Sequence, residues 1–272
     1  MADCLFEKRD DGVAVITMNR PERMNAMSQE MRLLLVDYIA TCEADPEIRC
    51  VLLTGAGRAF CSGADVGGIK ERADGLAKAD RGQLALLDER TLARRTRQNK
   101  SVLRLHVMGK PTVAVINGPA VGVGLSYALA CDIRFMGDEA AISTGFGNMA
   151  LPGDGGGTYF LTKLVGSGMA RELCFTSEMV SAARALELRL VNHVYPGNQL
   201  MNEALAFCAR LAAGPTLAYA RMKENLNFAW AAGVQEALDF EAANQSWASM
   251  SRDHREASTA FMEKRKPRFS GT

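Results

Sequence analysis

The sequence predicts an α/β fold with a parallel sheet. Short apolar runs alternate with helical patterns in the first part of the chain, whereas the pattern is almost entirely helical from about residue 158 onward. The apolar runs are continuous, which is typical of strands buried on both faces of a parallel sheet. Alternating strands and helices indicate an α/β core. The C-terminal helices are too apolar for a free arm, so we expect them to pack on that core or on other subunits.

Short apolar segments predict the strands. The first ends at Pro21, because proline cannot continue a ladder of hydrogen bonds, and the second is followed by a turn at Gly55 and Gly57. The predicted strands are residues 13–18, 50–54, 111–116, 132–136, 140–143 and 191–195.

Helical periodicity fills most of the remaining chain. Ser28 is a predicted N-cap, and the apolar residues behind it recur at helical spacing up to Pro46, so one face of this helix is expected to be buried. Residues from about 70 to 104 are charged with apolar residues at helical intervals, which predicts exposed helices. Further helices are predicted over residues 125–131, 158–190 and 201–264.

Composition excludes several classes of protein. Lys and Arg (32) nearly balance Asp and Glu (31), so no basic excess indicates a nucleic-acid partner. No apolar run approaches the roughly 18 residues of a membrane span, and the N-terminus does not resemble a signal peptide. The seven cysteines are scattered without C-x-x-C spacing, which argues against a disulfide framework or a metal site. We therefore expect a cytoplasmic protein without a bound metal.

Two glycine-rich turns each follow an apolar run. They are residues 59–65, with the sequence AFCSGAD, and residues 117–124, with the sequence NGPAVGVG. Such turns leave backbone N–H groups accessible to a ligand, and two N–H groups directed at one oxygen form an oxyanion hole. The alternatives are a surface loop for the first turn and close packing of a strand on a helix for the second.

A third glycine-rich segment, residues 151–158 (LPGDGGGT), contains a single carboxylate, Asp154. An Asp among glycines is usually a turn former, and the alternative is an acid/base that the loop presents to a ligand. Other motifs are excluded. The run from Gly55 has Phe60 at the third glycine position of a dinucleotide fingerprint, and the chain has neither a Walker A loop nor a G-x-S-x-G elbow.

Six segments together resemble the crotonase superfamily, also called the enoyl-CoA hydratase/isomerase family, over nearly the whole chain. Each is weakly specific alone, but their order and spacing are specific. The segments are residues 18–21 with 25–26, 59–65, 117–124, 130–134, 155–158 and 261–266.

The resemblance implies a crotonase-like spiral of ββα units, which we expect over residues 1–195. Residues 196–272 would form a C-terminal helical region that makes trimer contacts. Members of this family form homotrimers that often pair into hexamers, so the same assembly is expected here.

The resemblance also implies an acyl-CoA substrate, with coenzyme A as part of the substrate and no separate cofactor. The thioester oxygen would lie between the backbone N–H groups of Ala64 and Val123. The resemblance assigns CoA binding to Ala26, Ala64, Asp65, Val66, Phe261 and Lys264, and Lys264 would reach a CoA phosphate, in relatives often across a subunit boundary.

The departures from the family pattern favour one reaction. Typical hydratases have two glutamates that activate water, and their positions fall here at Ser126 and Phe146, which would line the acyl pocket instead. Asp154 falls where several family isomerases have a catalytic aspartate. We therefore expect an enoyl-CoA isomerase of fatty acid metabolism with Asp154 as acid/base.

Several alternatives remain open on the sequence. One is an enoyl-CoA hydratase in which Asp154 activates water, and another is a thioester hydrolase or dehalogenase-like enzyme in which Asp154 is the nucleophile. The third alternative is a non-catalytic protein that binds acyl-CoA or serves as a scaffold. RNA binding, found in an occasional family member, has no basic patch to support it.

Overall fold

A computed structural model of the 272-residue chain describes residues 2–65 and 82–272. Its strands form a six-stranded sheet in the order β1-β2-β3-β4-β6-β9 and a three-stranded sheet in the order β5-β7-β8. The strands are β1 (Cys4–Lys8), β2 (Val13–Met18), β3 (Cys50–Gly55), β4 (Thr112–Ile116), β5 (Ala120–Val121), β6 (Ile133–Gly137), β7 (Ala141–Ser143), β8 (Val180–Ser181) and β9 (His193–Tyr195).

Ten helices surround or extend from these sheets in the described ranges. The fifth is interrupted by non-helical backbone at Gly166. The helices are α1 (Gln29–Ala44), α2 (Gly82–Lys100), α3 (Val102–Val107), α4 (Val123–Ala130), α5 (Gly157–Thr176), α6 (Ala182–Glu187), α7 (Gly197–Ala212), α8 (Thr216–Ala229), α9 (Val234–Ser249) and α10 (Arg252–Met262).

The central strands of the large sheet are parallel and buried on both faces, as the continuous apolar runs predict. β2 pairs with β3, β3 with β4 and β4 with β6, all in parallel. On one face, alternate residues such as Val15 and Leu52 pack against α7. On the other face, the intervening residues, such as Ile16 and Leu53, pack with α1, α3 and α4. The fold class predicted from the sequence is therefore confirmed.

Three short strands were not predicted. β1 pairs with β2 in antiparallel register, with Cys4 opposite Met18, and it is half exposed, so it lacks the continuous apolar run of the central strands. β5 and β8 have two residues each, too few to give a sequence pattern. These two strands build the small sheet with β7, and β5 lies within the second glycine-rich turn.

The predicted helices are present with shifted bounds. The Ser28 hydroxyl accepts the Met31 N–H at 3.0 Å, so Ser28 caps α1 as predicted. α4 begins at Val123, two residues earlier than predicted, because it starts inside the glycine-rich turn. The first part of the charged segment predicted as exposed helices, residues 70–81, lies outside the described residues, and α2 and α3 follow it.

The last three helices leave much apolar surface exposed. α7 covers one face of the sheet, whereas α8, α9 and α10 and the residues next to them contain apolar side chains that are more than half exposed. They are Met222, Leu226, Val234, Leu238, Trp247, Met250, Phe261 and Met262. No helix in the described ranges is long and apolar enough to cross a lipid bilayer. The boundary at residue 195 stays a prediction.

Two leucines of α1 test how strongly the sheet depends on this helix. Leu35 is fully buried against the sheet, whereas Leu33 is 56% exposed. We expect Leu35→Ala to lower the free energy of unfolding by about 2–5 kcal/mol, because it leaves a cavity in the core. We expect Leu33→Ala to change it by less than about 0.5 kcal/mol. Urea denaturation of both variants measures the difference, and equal effects would contradict the packing described.

Candidate active site

The two glycine-rich turns lie side by side, because a parallel bridge joins Cys61 in the first to Ala120 in the second. Within this bridge, the Val121 N–H donates to the Cys61 carbonyl oxygen at 2.9 Å. A methyl group at Gly122 would lie 4.0 Å from the Cα atom of Gly63. Ala64 and Val123, which follow Gly63 and Gly122, are therefore attached to main chain that lies close together.

Gly124 allows α4 to pack directly on the first turn. A Cβ atom at Gly124 would lie 2.4 Å from the carbonyl oxygen and 2.7 Å from the Cβ atom of Cys61, so a larger residue does not fit. Burial raises the pKa of the Cys61 thiol to about 11. Cys61 is therefore a neutral packing group beneath the turn and not a nucleophile.

The backbone N–H groups of Ala64 and Val123 are available to a ligand. Val123 is the first residue of α4, so its N–H has no partner within the helix. Gly122 before it has φ 58° and ψ −124°, a conformation that favours glycine. Among the residues that the structure describes, neither the Ala64 N–H nor the Val123 N–H donates a hydrogen bond. Two free donors on adjacent turns can stabilise one oxyanion.

A second bridge determines which way the Ala64 N–H points. Met27 pairs with Ala64 in parallel. The Met27 N–H donates to the Gly63 carbonyl oxygen at 2.8 Å, and the Asp65 N–H donates to the Met27 carbonyl oxygen at 3.3 Å. In such a bridge Met27 bonds to the two neighbours of Ala64, so the N–H of Ala64 itself faces away from Met27.

Two asparagine side chains hold the loop that precedes the first turn. The Asn25 amide donates to the carbonyl oxygens of Ala56 and Ala59 at 2.9 and 2.6 Å. The Asn117 amide donates to the Gly57 carbonyl oxygen at 2.8 Å. These side chains satisfy backbone groups that the irregular loop leaves without partners. The asparagines in the segments that resemble the family therefore have a structural role here.

Asp154 lies against the first turn of α4. The Ser126 hydroxyl donates to the Asp154 main-chain carbonyl oxygen at 2.8 Å, and a methyl group at Gly155 would lie 3.3 Å from the Val123 side chain. The Asp154 carboxylate accepts the Gly155 N–H at 2.8 Å and a hydrogen bond from Gln98, and its side chain remains 21% exposed. A partly exposed carboxylate is thus held beside the helix whose first N–H is free.

Ser126 and Phe146, the predicted acyl-pocket residues, line one cavity of about 10 Å³. This volume holds about one water molecule, so the cavity is too small for an acyl chain. Ser126 is fully buried. The Phe146 ring lies between the two loops, because a methyl group at either Gly122 or Gly157 would be 3.8 Å from it. Neither side chain supplies an acid/base, and their place in an acyl pocket stays a prediction.

Arg20 connects two of the residues expected to bind CoA. Its guanidinium donates to the Ala26 carbonyl oxygen at 2.7 Å and to the Asp65 carboxylate at 2.8 Å. The hydrogen bond with Asp65 raises the pKa of Arg20. The structure therefore brings together the main chain at Ala26, Ala64 and Asp65. Arg20 itself was not predicted as a site residue, although it lies in a segment that carries the family resemblance.

The other residues expected to bind CoA do not join this group within one chain. Phe261 is 83% exposed on α10, and Lys264 follows the end of that helix. No hydrogen bond or ion pair between described residues links Lys264 to Ala26 or Ala64. Val66 lies outside the described residues.

Three polar side chains near Asp154 were missed by the sequence reasoning. Gln98 and Arg94 project from α2, and the Arg94 Nε atom lies 4.0 Å from the Asp154 carboxylate. Arg32 on α1 is half-buried, and burial together with the nearby charge of Arg97 lowers its pKa, while the charge of Asp154 opposes that shift. The sequence predicts helices here, but it gives no indication of which side chains face the third glycine-rich loop.

Known proteins resemble this chain over nearly its whole length. Residues 8–272 match the family model described as enoyl-CoA hydratase/isomerase. The chain is 33% identical to the 1,2-epoxyphenylacetyl-CoA isomerase of Escherichia coli, with all of both chains covered. It is also 33% identical to the short-chain-enoyl-CoA hydratase of Clostridium acetobutylicum, with 95% of this chain and 94% of that protein covered.

Solved structures give the same result. The fold matches enoyl-CoA hydratase subunit I of Geobacillus kaustophilus with a TM-score of 0.87 and 33% identity, and the match covers 99% of this chain and 98% of that one. Two free backbone donors on neighbouring turns of an α/β fold thus coincide with a family match over nearly the whole chain. The chain belongs to the enoyl-CoA hydratase/isomerase family, which is the crotonase superfamily, and it is an enzyme of that family.

The contact between Gly124 and Cys61 can be tested by adding one methyl group. We expect Gly124→Ala to lower the free energy of unfolding by about 1–3 kcal/mol, because the new Cβ atom overlaps the first turn. Gly168 in α5 has no atom within 4 Å of the same position. Gly168→Ala should therefore be neutral or stabilising by up to about 1 kcal/mol. Thermal unfolding compares the two variants, and a neutral Gly124→Ala would contradict the close approach.

Proposed function

We propose that the protein shifts a carbon–carbon double bond of an enoyl-CoA, with Asp154 as its acid/base. The observation that carries this proposal is that the loop of Asp154 packs on the helix whose first N–H, that of Val123, is free. Asp154 is held on the first turn of the helix that begins at Val123. Relatives whose names include enoyl-CoA hydratase and CoA-ester isomerase support a CoA thioester as the substrate.

The proposed route uses one proton and one carboxylate. The N–H groups of Ala64 and Val123 hold the thioester oxygen of a 3-enoyl-CoA. The Asp154 carboxylate takes a proton from C2, and the electron pair of that C–H bond moves into the dienolate, whose negative charge the two N–H groups stabilise. Asp154 then returns the proton to C4, which gives the 2-enoyl-CoA. No atom is gained or lost, so no second acid/base is needed.

Hydration, unlike isomerisation, requires groups that position and activate water. In the usual route of this family two glutamates position and activate water, and here those positions are occupied by Ser126 and Phe146. The Ser126 hydroxyl is engaged with the carbonyl oxygens of Gly122 and Asp154. An enoyl-CoA hydratase in which Asp154 alone activates water is the second candidate, and the hydratases among the relatives favour it.

We further propose that Ala26, Ala64, Asp65, Val66, Phe261 and Lys264 bind the CoA moiety. For Ala26, Ala64 and Asp65, the ion pair of Arg20 with Asp65 supports this proposal. The ion pair fixes the main chain beside the free N–H of Ala64. Coenzyme A enters as part of the substrate, and no other cofactor is required by the proton transfer.

The assembly we propose is a homotrimer or a dimer of trimers. The exposed apolar side chains in and beside α8–α10 support it, because eight large apolar side chains that are more than half exposed give a surface that another subunit can cover. A cytoplasmic location is proposed on the seven free cysteines, since unpaired thiols persist in a reducing compartment.

The proposed role of Asp154 predicts a large loss of activity in Asp154→Asn. The amide keeps the shape of the side chain but does not accept a proton from carbon. We expect kcat/KM for trans-3-hexenoyl-CoA to fall at least about 100-fold. Calorimetry should give a Kd for butyryl-CoA within about twofold of the parent protein, because the binding residues are unchanged.

Asp37→Asn is the matched control for the loss of one carboxylate. Asp37 is exposed on α1, and its replacement should leave both measurements unchanged. An Asp154→Asn variant that isomerises at the parent rate would contradict the proposal.

The proposed assembly predicts the mass of the protein in solution. We expect light scattering during size-exclusion chromatography to give three or six chain masses. The exposed apolar surface of α8–α10 would be covered in such a particle. A monomer at micromolar concentration would contradict the proposed assembly.

A further inference from the structure

The two oxygens of the Asp154 carboxylate have different surroundings. Oδ1 accepts two hydrogen bonds, one from the Gly155 N–H at 2.8 Å and one from the Gln98 carboxamide. Among the residues that the structure describes, Oδ2 accepts no hydrogen bond, and its ion-pair contact is with the Arg94 guanidinium at 4.0 Å. Arg94 is itself 60% exposed, so that contact is long and partly solvated. Oδ2 is therefore the oxygen with capacity to accept a proton from a ligand.

Gln98 reaches Asp154 from outside the loop that carries the carboxylate. Gln98 and Arg94 are four residues apart on α2, so they lie one above the other on the same face of the helix. Gln98 is half-buried. Because an ionised carboxylate accepts hydrogen bonds but donates none, the NH₂ group of Gln98 must be the one that faces it.

We propose that Gln98 is a positioning residue for the acid/base Asp154, an inference that rests on the proposed isomerase function. Its N–H donor and the Gly155 N–H together hold Oδ1, which fixes the plane of the carboxylate and leaves Oδ2 as the atom that takes and returns the proton.

The charges that face Asp154 come from two helices. Arg94 on α2 is the ion-pair partner, and Arg32 on α1 interacts with Asp154 at longer range, with Arg97 of α2 beside it. The positive charges of Arg32 and Arg97 also act on Tyr127 of α4, whose hydroxyl donates a hydrogen bond to Ser101. Gln98 carries no charge, so its removal takes away a hydrogen bond without changing the net charge around Asp154.

The test compares Gln98→Leu with Asn99→Leu, since Asn99 is exposed on the next position of α2. With trans-3-hexenoyl-CoA we expect Gln98→Leu to lower kcat about tenfold and to change KM less than about twofold. The fall is expected in kcat because the Asp154 carboxylate loses a hydrogen bond that orients it. Asn99→Leu should match the parent protein in both measurements.

A second variant, Gln98→Glu, tests the role of Gln98 if Gln98→Leu does not fold. Gln98→Glu keeps the length and polarity of the side chain but places a second carboxyl group against Asp154. An ionised glutamate donates no hydrogen bond to Oδ1, so kcat should fall at least as far as in Gln98→Leu, with KM again changed less than about twofold.

The outcomes separate this inference from the function on which it rests. An unchanged kcat in Gln98→Leu and Gln98→Glu, together with an inactive Asp154→Asn, would overturn the role of Gln98 alone. An active Asp154→Asn would overturn the proposed function itself. A raised KM with unchanged kcat in Gln98→Leu would also overturn the inference, because it would place Gln98 in substrate binding.

Discussion

The site depends on the parallel bridge between Cys61 and Ala120. This bridge joins two turns that are far apart in the sequence, and Gly124 lets α4 pack closely on Cys61 because a Cβ atom there would lie 2.4 Å from the Cys61 carbonyl oxygen. The turns that carry Ala64 and Val123 lie side by side as a consequence. Both proposed donors belong to the main chain, so the proposal does not depend on the side chain at position 123.

The proposed reaction depends on the groups near these donors. An oxyanion hole stabilises an enolate whichever proton transfer forms it, so the two donors alone do not select one reaction. Here Ser126 holds the main chain at Asp154, and Phe146 lies between the two loops. Within the part of the chain that the structure describes, Oδ2 of Asp154 accepts no hydrogen bond, which suits the carboxylate to the proton transfer that we propose.

The sequence predicts the strands and turns of the proposed oxyanion hole, because their signals are local. The apolar run of β3 and the glycines of the turns indicate buried strands and an accessible main chain. It does not predict β1, which lacks a continuous apolar run, or the approach of Gln98 to Asp154. That contact joins residues 56 positions apart, and it depends on how α2 rotates against the loop, which helical periodicity alone does not determine.

The proposed proton transfer by Asp154 is tested most directly by comparing three reactions on one preparation of the protein. These are isomerisation of trans-3-hexenoyl-CoA, hydration of crotonyl-CoA and hydrolysis of the thioester. A proton shuttle with a single carboxylate predicts isomerisation at least about 100-fold faster than either of the other reactions. Rapid hydration with little isomerisation would contradict the account and would make Asp154 a residue that activates water.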